Sequence, residues 1–148
     1  METLSQKELS KFNVNINNFN LSIPELIERI KNEELEILGL EKRVFDKREE
    51  KKDLEISIEK IKFNAEKEVY NLETFKNENQ RKVAIKEIID SNRDYQMSQE
   101  FIKDLNKDIF GYLEKIEYLK IHLEYFKSIH EYKIILEKEK IHESSYSP

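Results

Sequence analysis

Three histidines, His122, His130 and His142, are the natural place to look for acid–base or metal chemistry in this 148-residue chain. None belongs to an HExxH motif, and the absence of cysteine removes disulfides, thiolate zinc sites and cysteine nucleophiles. Glu139-x-x-His142 has the spacing of one ExxH half of a di-iron bundle site. Such a site needs a second copy of the motif and two further glutamates on facing helices. Here the motif stands once, near the C-terminal end, and reads as a solvated helix face. Gly39 and Gly111 stand alone, so there is no glycine-rich phosphate loop. No buried His/Asp partner can be argued for any serine. With 31 acidic residues, carboxylate pairs on one helix face are unavoidable and carry no weight as acid–base dyads. The expectation is a non-enzymatic protein without cofactor or metal.

Two aromatic stripes hold more information. Ile56, Phe63 and Tyr70 recur every seven residues, and so do Tyr118, Tyr125 and Tyr132. Both lie off the main apolar seam described below, which makes these six residues the candidate interface. Exposed apolar stripes of this kind mark protein contacts, with a second copy of the chain as one expected occupant. The tyrosines also alternate with Lys115, Lys120, Lys127 and Lys133. Rings can stack unpaired bases while ammonium groups neutralise phosphates, so these lysines are the candidate nucleic-acid contacts of an alternative reading. Glu114, Glu117, Glu124 and Glu131 share that surface and oppose it.

The elements that would carry these stripes are helices. In the first arm, heptad position a holds Ile23, Ile30, Ile37, Val44, Lys51, Ile58, Ala65 and Leu72, and position d holds Leu26, Glu33, Leu40, Lys47, Leu54, Ile61, Glu68 and Phe75. The second arm places Ile102, Ile109, Ile116 and Leu123 at a, with Leu105, Tyr112, Leu119 and Phe126 at d. Ser22 and Glu25 form a capping box, Leu21 and Leu26 fill the staple positions, and Pro24 falls in the first turn. Asn77-x-x-Gln80 is a second capping box, and Ser91-Asn92 marks a third start. These signals predict long helices over 23–75 and 92–142 with a short helix over 78–90 at the elbow. Residues 1–21 read as a flexible arm and 143–148 as a disordered tail, leaving 22–142 as the helical domain. Gly39 and Gly111, inside the arms, are expected to permit close helix approach or a kink.

The expected architecture is all-α: a long antiparallel helical hairpin or coiled coil that assembles into a bundle. A parallel homodimer through the first arm is disfavoured by its charges. It would set Arg29 against Glu34, but also Glu36 against Glu41, Arg43 against Arg48 and Glu50 against Glu55. In the hairpin, the charged run Asp46–Asp53 is expected to lie near Glu114 and Glu117. The net charge of −5 with interspersed signs lacks the one-sided basic footprint of a duplex-DNA binder. The first residues lack a signal-peptide core and no stretch is long enough for a membrane span, so the expectation is a cytoplasmic protein without membrane contact.

Asn77-Glu78-Asn79-Gln80-Arg81-Lys82, Tyr95 and Glu117-Tyr118-Leu119-Lys120 follow one another between Thr74 and Lys127. In these elements the chain resembles a loose group of small helical coiled-coil proteins encoded by bacteriophages and prophages. The resemblance covers about a third of the chain. It implies a phage setting, and so a host cytoplasm, with a role near DNA recombination or host-defence modulation; it transfers no catalytic residue. The functional expectation is a non-catalytic interaction protein that binds and modulates a nucleic-acid-processing or host-defence protein. The alternative is a single-stranded nucleic-acid-binding accessory of a phage recombination module.

Overall fold

The computed structural model describes residues 20–146. It contains α1 (Ile23–Asn71), α2 (Glu78–Ser91) and α3 (Arg93–Tyr146), with no strand among the described residues. The fold is all-α, a helical hairpin in which α1 and α3 pack against each other. Of the expected N-terminal arm, residues 1–19 lie outside the described residues, as do the last two of the expected tail. The rest of that tail is not irregular, because α3 continues to Tyr146. Among the described residues no helix is long and apolar enough to cross a membrane.

Side-chain caps set the helix ends. At the start of α1 the Ser22 Oγ accepts from the Glu25 amide at 3.2 Å and donates to the Glu25 carboxylate at 3.0 Å. One amide that helix geometry leaves without a partner is thereby engaged. Leu21 packs on the cluster that contains Leu26, closing the staple. The end of α1 departs from the expected Phe75. Asn77 Oδ1 accepts from the Gln80 amide at 2.9 Å, and Gln80 Oε1 accepts from the Lys76 amide at 3.2 Å. These two side-chain caps start α2 and stop the heptad before it can place Leu72 and Phe75 on a seam. Leu72 is consequently exposed. At the next junction Ser91 Oγ bonds back to the Glu87 carbonyl at 2.7 Å, so it serves the end of α2. Asn92 is the residue that caps α3, through Tyr95 N at 2.9 Å.

A clamp holds the elbow. The Tyr70 hydroxyl donates to Glu78 at 3.2 Å, Arg81 donates to the same carboxylate at 2.9 Å, and the guanidinium stands 5.3 Å from the centre of the Tyr70 ring. Hydrogen bonds from Arg81 and Tyr70 hold the Glu78 carboxyl below its ordinary range. The same bond to Glu78, with the carboxylate's charge, raises the Tyr70 phenol. Because the folded-state value of Glu78 is depressed, its contribution is present above the unfolded carboxylate value and fades as pH falls through the folded one. Acid titration followed by amide-exchange protection factors at residues 76–81 is expected to show local opening only once the pH falls below the ordinary carboxylate range, while α1 amides stay protected. Glu78→Gln should remove that pH dependence. Protection factors, corrected for intrinsic exchange, that do not change with pH would show that the clamp holds nothing.

The described residues form two compact units: residues 20–42 with 113–146, and Arg43–Tyr112. In the first unit Leu26, Phe126 and Ile129 form a buried cluster flanked by Leu21, Ile30 and Tyr125. Ile37, Leu40, Ile116, Leu119 and Leu123 are buried as well. Leu26 near Phe126 and Glu36 near Lys115 show that α1 and α3 run antiparallel there. In the second unit the buried residues are Val44, Ile58, Ala65 and Val69 of α1, and Ser98, Leu105 and Ile109 of α3. The α1 seam leaves the seven-residue repeat toward its end, burying Val69 where Glu68 was expected. A straight helix at 3.6 residues per turn drifts off a strict heptad by about 20° per repeat, which accounts for the switch.

Two further expectations are corrected. Lys47 does not reach Glu114 or Glu117; it lies 3.9 Å from Asp108, next to the Arg43 guanidinium over the Tyr112 ring, while Lys51 pairs with Glu55 of its own helix. The glycines do not mark close approaches, since a Cβ at Gly39 or Gly111 would meet nothing within 4 Å.

Candidate functional site

The structure divides the tyrosine stripe of α3. Tyr118 is half-buried and stacks on His122, with ring centres 5.6 Å apart. Tyr125 packs against the Leu26–Phe126–Ile129 cluster, edge-on to Phe126 at 5.9 Å, and burial raises its phenol. These two rings belong to the edge of the seam, contrary to the expectation that they are spare. Tyr132 alone of the three stands out, 54% exposed.

The candidate lysines are turned toward α1. Lys115, Lys120 and Lys127 lie 3.5, 3.9 and 3.7 Å from Glu36, Glu41 and Glu34, and Lys133 donates to the Leu21 carbonyl. Half-exposed pairs of this kind are worth about 0–1 kcal/mol each, so they bias orientation more than they stabilise. They nevertheless commit the ammonium groups to carboxylates that would repel a phosphate backbone. The four lysines therefore do not form an unopposed basic track.

Inside the first unit lies a polar contact that sequence reasoning missed. His122 Nδ1 and Glu33 Oε1 are 2.6 Å apart, and both residues are buried. His122 sits between the stacked Tyr118 and the edge-on Phe126 ring at 4.9 Å, and Arg29 lies 5.3 Å over the other ring, Phe126. Among the described residues Glu33 Oε2 and His122 Nε2 have no hydrogen-bond partner. Its chemistry is that of a register lock, since one hydrogen bond joins α1 to α3 at a single level of the seam. Glu33 at a d position was the signal; its partner depends on an antiparallel register that spacing does not supply. Among the described residues no group of three or more His, Asp or Glu side chains is placed to hold a metal ion. His142 and Glu139 lie on the exposed end of α3.

The α1 stripe stays uncovered. Ile56, Phe63 and Tyr70 are all more than half exposed, and α2 does not roof them, although Tyr70 leans on Glu78 and Arg81. Phe45 extends the line and is 62% exposed. It falls outside the seven-residue repeat because it precedes Ile56 by eleven positions, a step that also returns to the same helix face within about 20°. Ile56 and Phe63 line a shallow depression with Lys52, Glu55, Glu59 and Lys60 beside them. Comparison of the chain with protein-family models, with curated proteins and with solved structures finds no match.

Proposed function

We propose that this chain is a non-catalytic interaction protein and that the outer face of α1, from Phe45 to Tyr70, receives a protein partner. The observation that carries this reading is the stripe itself. Four large apolar side chains recur on one face of a regular helix and stay exposed after α2 and α3 have packed. Aromatic anchors of this type, with their low rotamer entropy, dominate the energetics of protein interfaces. Among the described residues the buried Glu33–His122 pair joins two helices, a structural role that needs no catalytic one. The resemblance between Thr74 and Lys127 adds a proposed setting: a phage-encoded cytoplasmic protein that modulates a nucleic-acid-processing or host-defence protein.

A photoreactive residue in place of Phe63 is expected to yield a discrete covalent adduct in cells. The same residue in place of Glu68, exposed elsewhere on α1, should yield none. Equal, diffuse labelling from both positions would remove the proposal. A fluorescent single-stranded oligonucleotide tests the alternative at low salt. Affinity that falls steeply with salt would favour nucleic-acid binding by the chain itself; the expected result is no binding.

A further inference from the structure

We propose that a second copy of this chain covers the Phe45–Ile56 part of α1, lying antiparallel to it with a two-fold axis between residues 50 and 51. The proposal rests on the reading of this face as an interface, and names its occupant. Along the stripe the order is Phe45, Glu49, Lys52, Ile56, at steps of four, three and four that keep all four on one helix face. All four are exposed, and Glu49 lies 3.7 Å from Lys52 within one copy. In sign, the element runs apolar, negative, positive, apolar. Turned end for end it runs apolar, positive, negative, apolar, which is its own complement. A reversed second copy therefore sets Ile56 on Phe45 and Lys52 on Glu49, twice over, as an isologous two-fold contact requires.

Other pairings of the same face fare worse. A parallel copy in register places Glu49 on Glu49 and Lys52 on Lys52, and like charges brought together at an interface are strongly unfavourable. An antiparallel copy slid by eighteen residues, five whole turns at 3.6 residues per turn, restores the helix phase but sets Lys52 against Lys67. Of these three pairings, only the one reversed about residues 50 and 51 satisfies both the apolar and the charged layers.

Sedimentation equilibrium of the full chain, from micromolar to hundreds of micromolar, should show a monomer–dimer equilibrium. Glu49→Lys or Lys52→Glu alone puts like charges in both central layers and should weaken the dimer about tenfold or more. Mixing these two variants one to one should restore the mass of the parent, since every layer then joins opposite charges. Both sites are exposed, so circular dichroism should match the parent in each case. Because the chain has no cysteine, single-cysteine variants report direction. Glu49→Cys should crosslink to its mate with a short bis-maleimide. Tyr70→Cys should not, because antiparallel pairing separates the two copies of that position by roughly 60 Å at 1.5 Å per residue. A parent that stays monomeric throughout, a mixture no heavier than its components, or crosslinking at Tyr70→Cys equal to that at Glu49→Cys would each overturn the proposal. If the parent is monomeric but position 63 still labels a different protein, the interface stands and only its self-pairing falls.

Discussion

Replacing Glu33 and His122 together with leucine is expected to leave the protein as stable as the parent or more so, while His122→Leu alone costs about 3–5 kcal/mol. The contact joins α1 to α3 at 2.6 Å inside the seam of the first unit, between the Tyr118 and Phe126 rings. Removing the imidazole leaves a carboxylate among apolar neighbours, and stranding a buried charge is what makes single replacements of such pairs expensive. Glu33→Leu strands a ring nitrogen instead, and losing one hydrogen-bond partner at a buried site costs about 1–3 kcal/mol. Leucine at both positions extends a seam whose buried residues include Leu26, Ile37 and Leu119. Comparable buried pairs replaced by apolar residues gain about 1–4 kcal/mol or break even. Urea unfolding of the four proteins measures all of this as one cycle. Additive losses, with the double variant the least stable of the four, would mean that the two residues do not act as a unit. A double variant that is stable but populates several oligomers would add that the pair specifies register at some expense of stability, as one buried polar residue does in coiled coils.

How far the fold could be read in advance follows from which interactions are local. Ser22 and Glu25, Asn77 and Gln80, and Asn92 act within one turn, so their caps could be recognised from spacing alone. The apolar seam was equally legible where it is continuous, at Ile37, Leu40 and Val44 and at Ile116, Leu119 and Leu123. It was misread where two local signals compete. The heptad extends to Leu72 and Phe75, but the Asn77 cap begins a new helix and prevails, because a helix cannot carry both. Contacts far apart in sequence were not accessible. Glu33 with His122 and Lys47 with Asp108 both depend on how α3 aligns with α1, and the charged run near Lys47 pointed to Glu114 and Glu117 instead. Of the candidate site, Ile56, Phe63 and Tyr70 were visible as a stripe. Phe45 was hidden by its eleven-residue step, and the partial burial of Tyr118 and Tyr125 by their nearness to the seam.

Ile56 and Ile58 stand two positions apart on α1, and aspartate at each should have opposite consequences. Ile58 is 6% exposed and Ile56 is 54% exposed. A two-residue step turns the helix by about 200°, so the two side chains point to different sides of one element. Ile58→Asp puts a carboxylate into the apolar seam of the second unit, whose buried residues include Val44, Ala65 and Leu105. Losing the apolar contact and desolvating the charge together should cost on the order of 4 kcal/mol or more, among the largest effects a single substitution produces. The variant should lose much of its helical signal or melt far below the parent. Ile56→Asp exchanges an exposed apolar group for a charge that stays in water, and surface changes of that kind fall within about ±0.5 kcal/mol. Its helicity and melting should match the parent's. Its effect belongs to binding, where a charge at the centre of an apolar contact should abolish labelling from position 63 and weaken any dimer. Leu119→Asp, in the buried layer of the first unit, should behave like Ile58→Asp. Equal melting of both isoleucine variants would show that the seam is wrongly placed. Equal destabilisation by both would make the outer face of α1 part of the core, leaving no free surface for a partner.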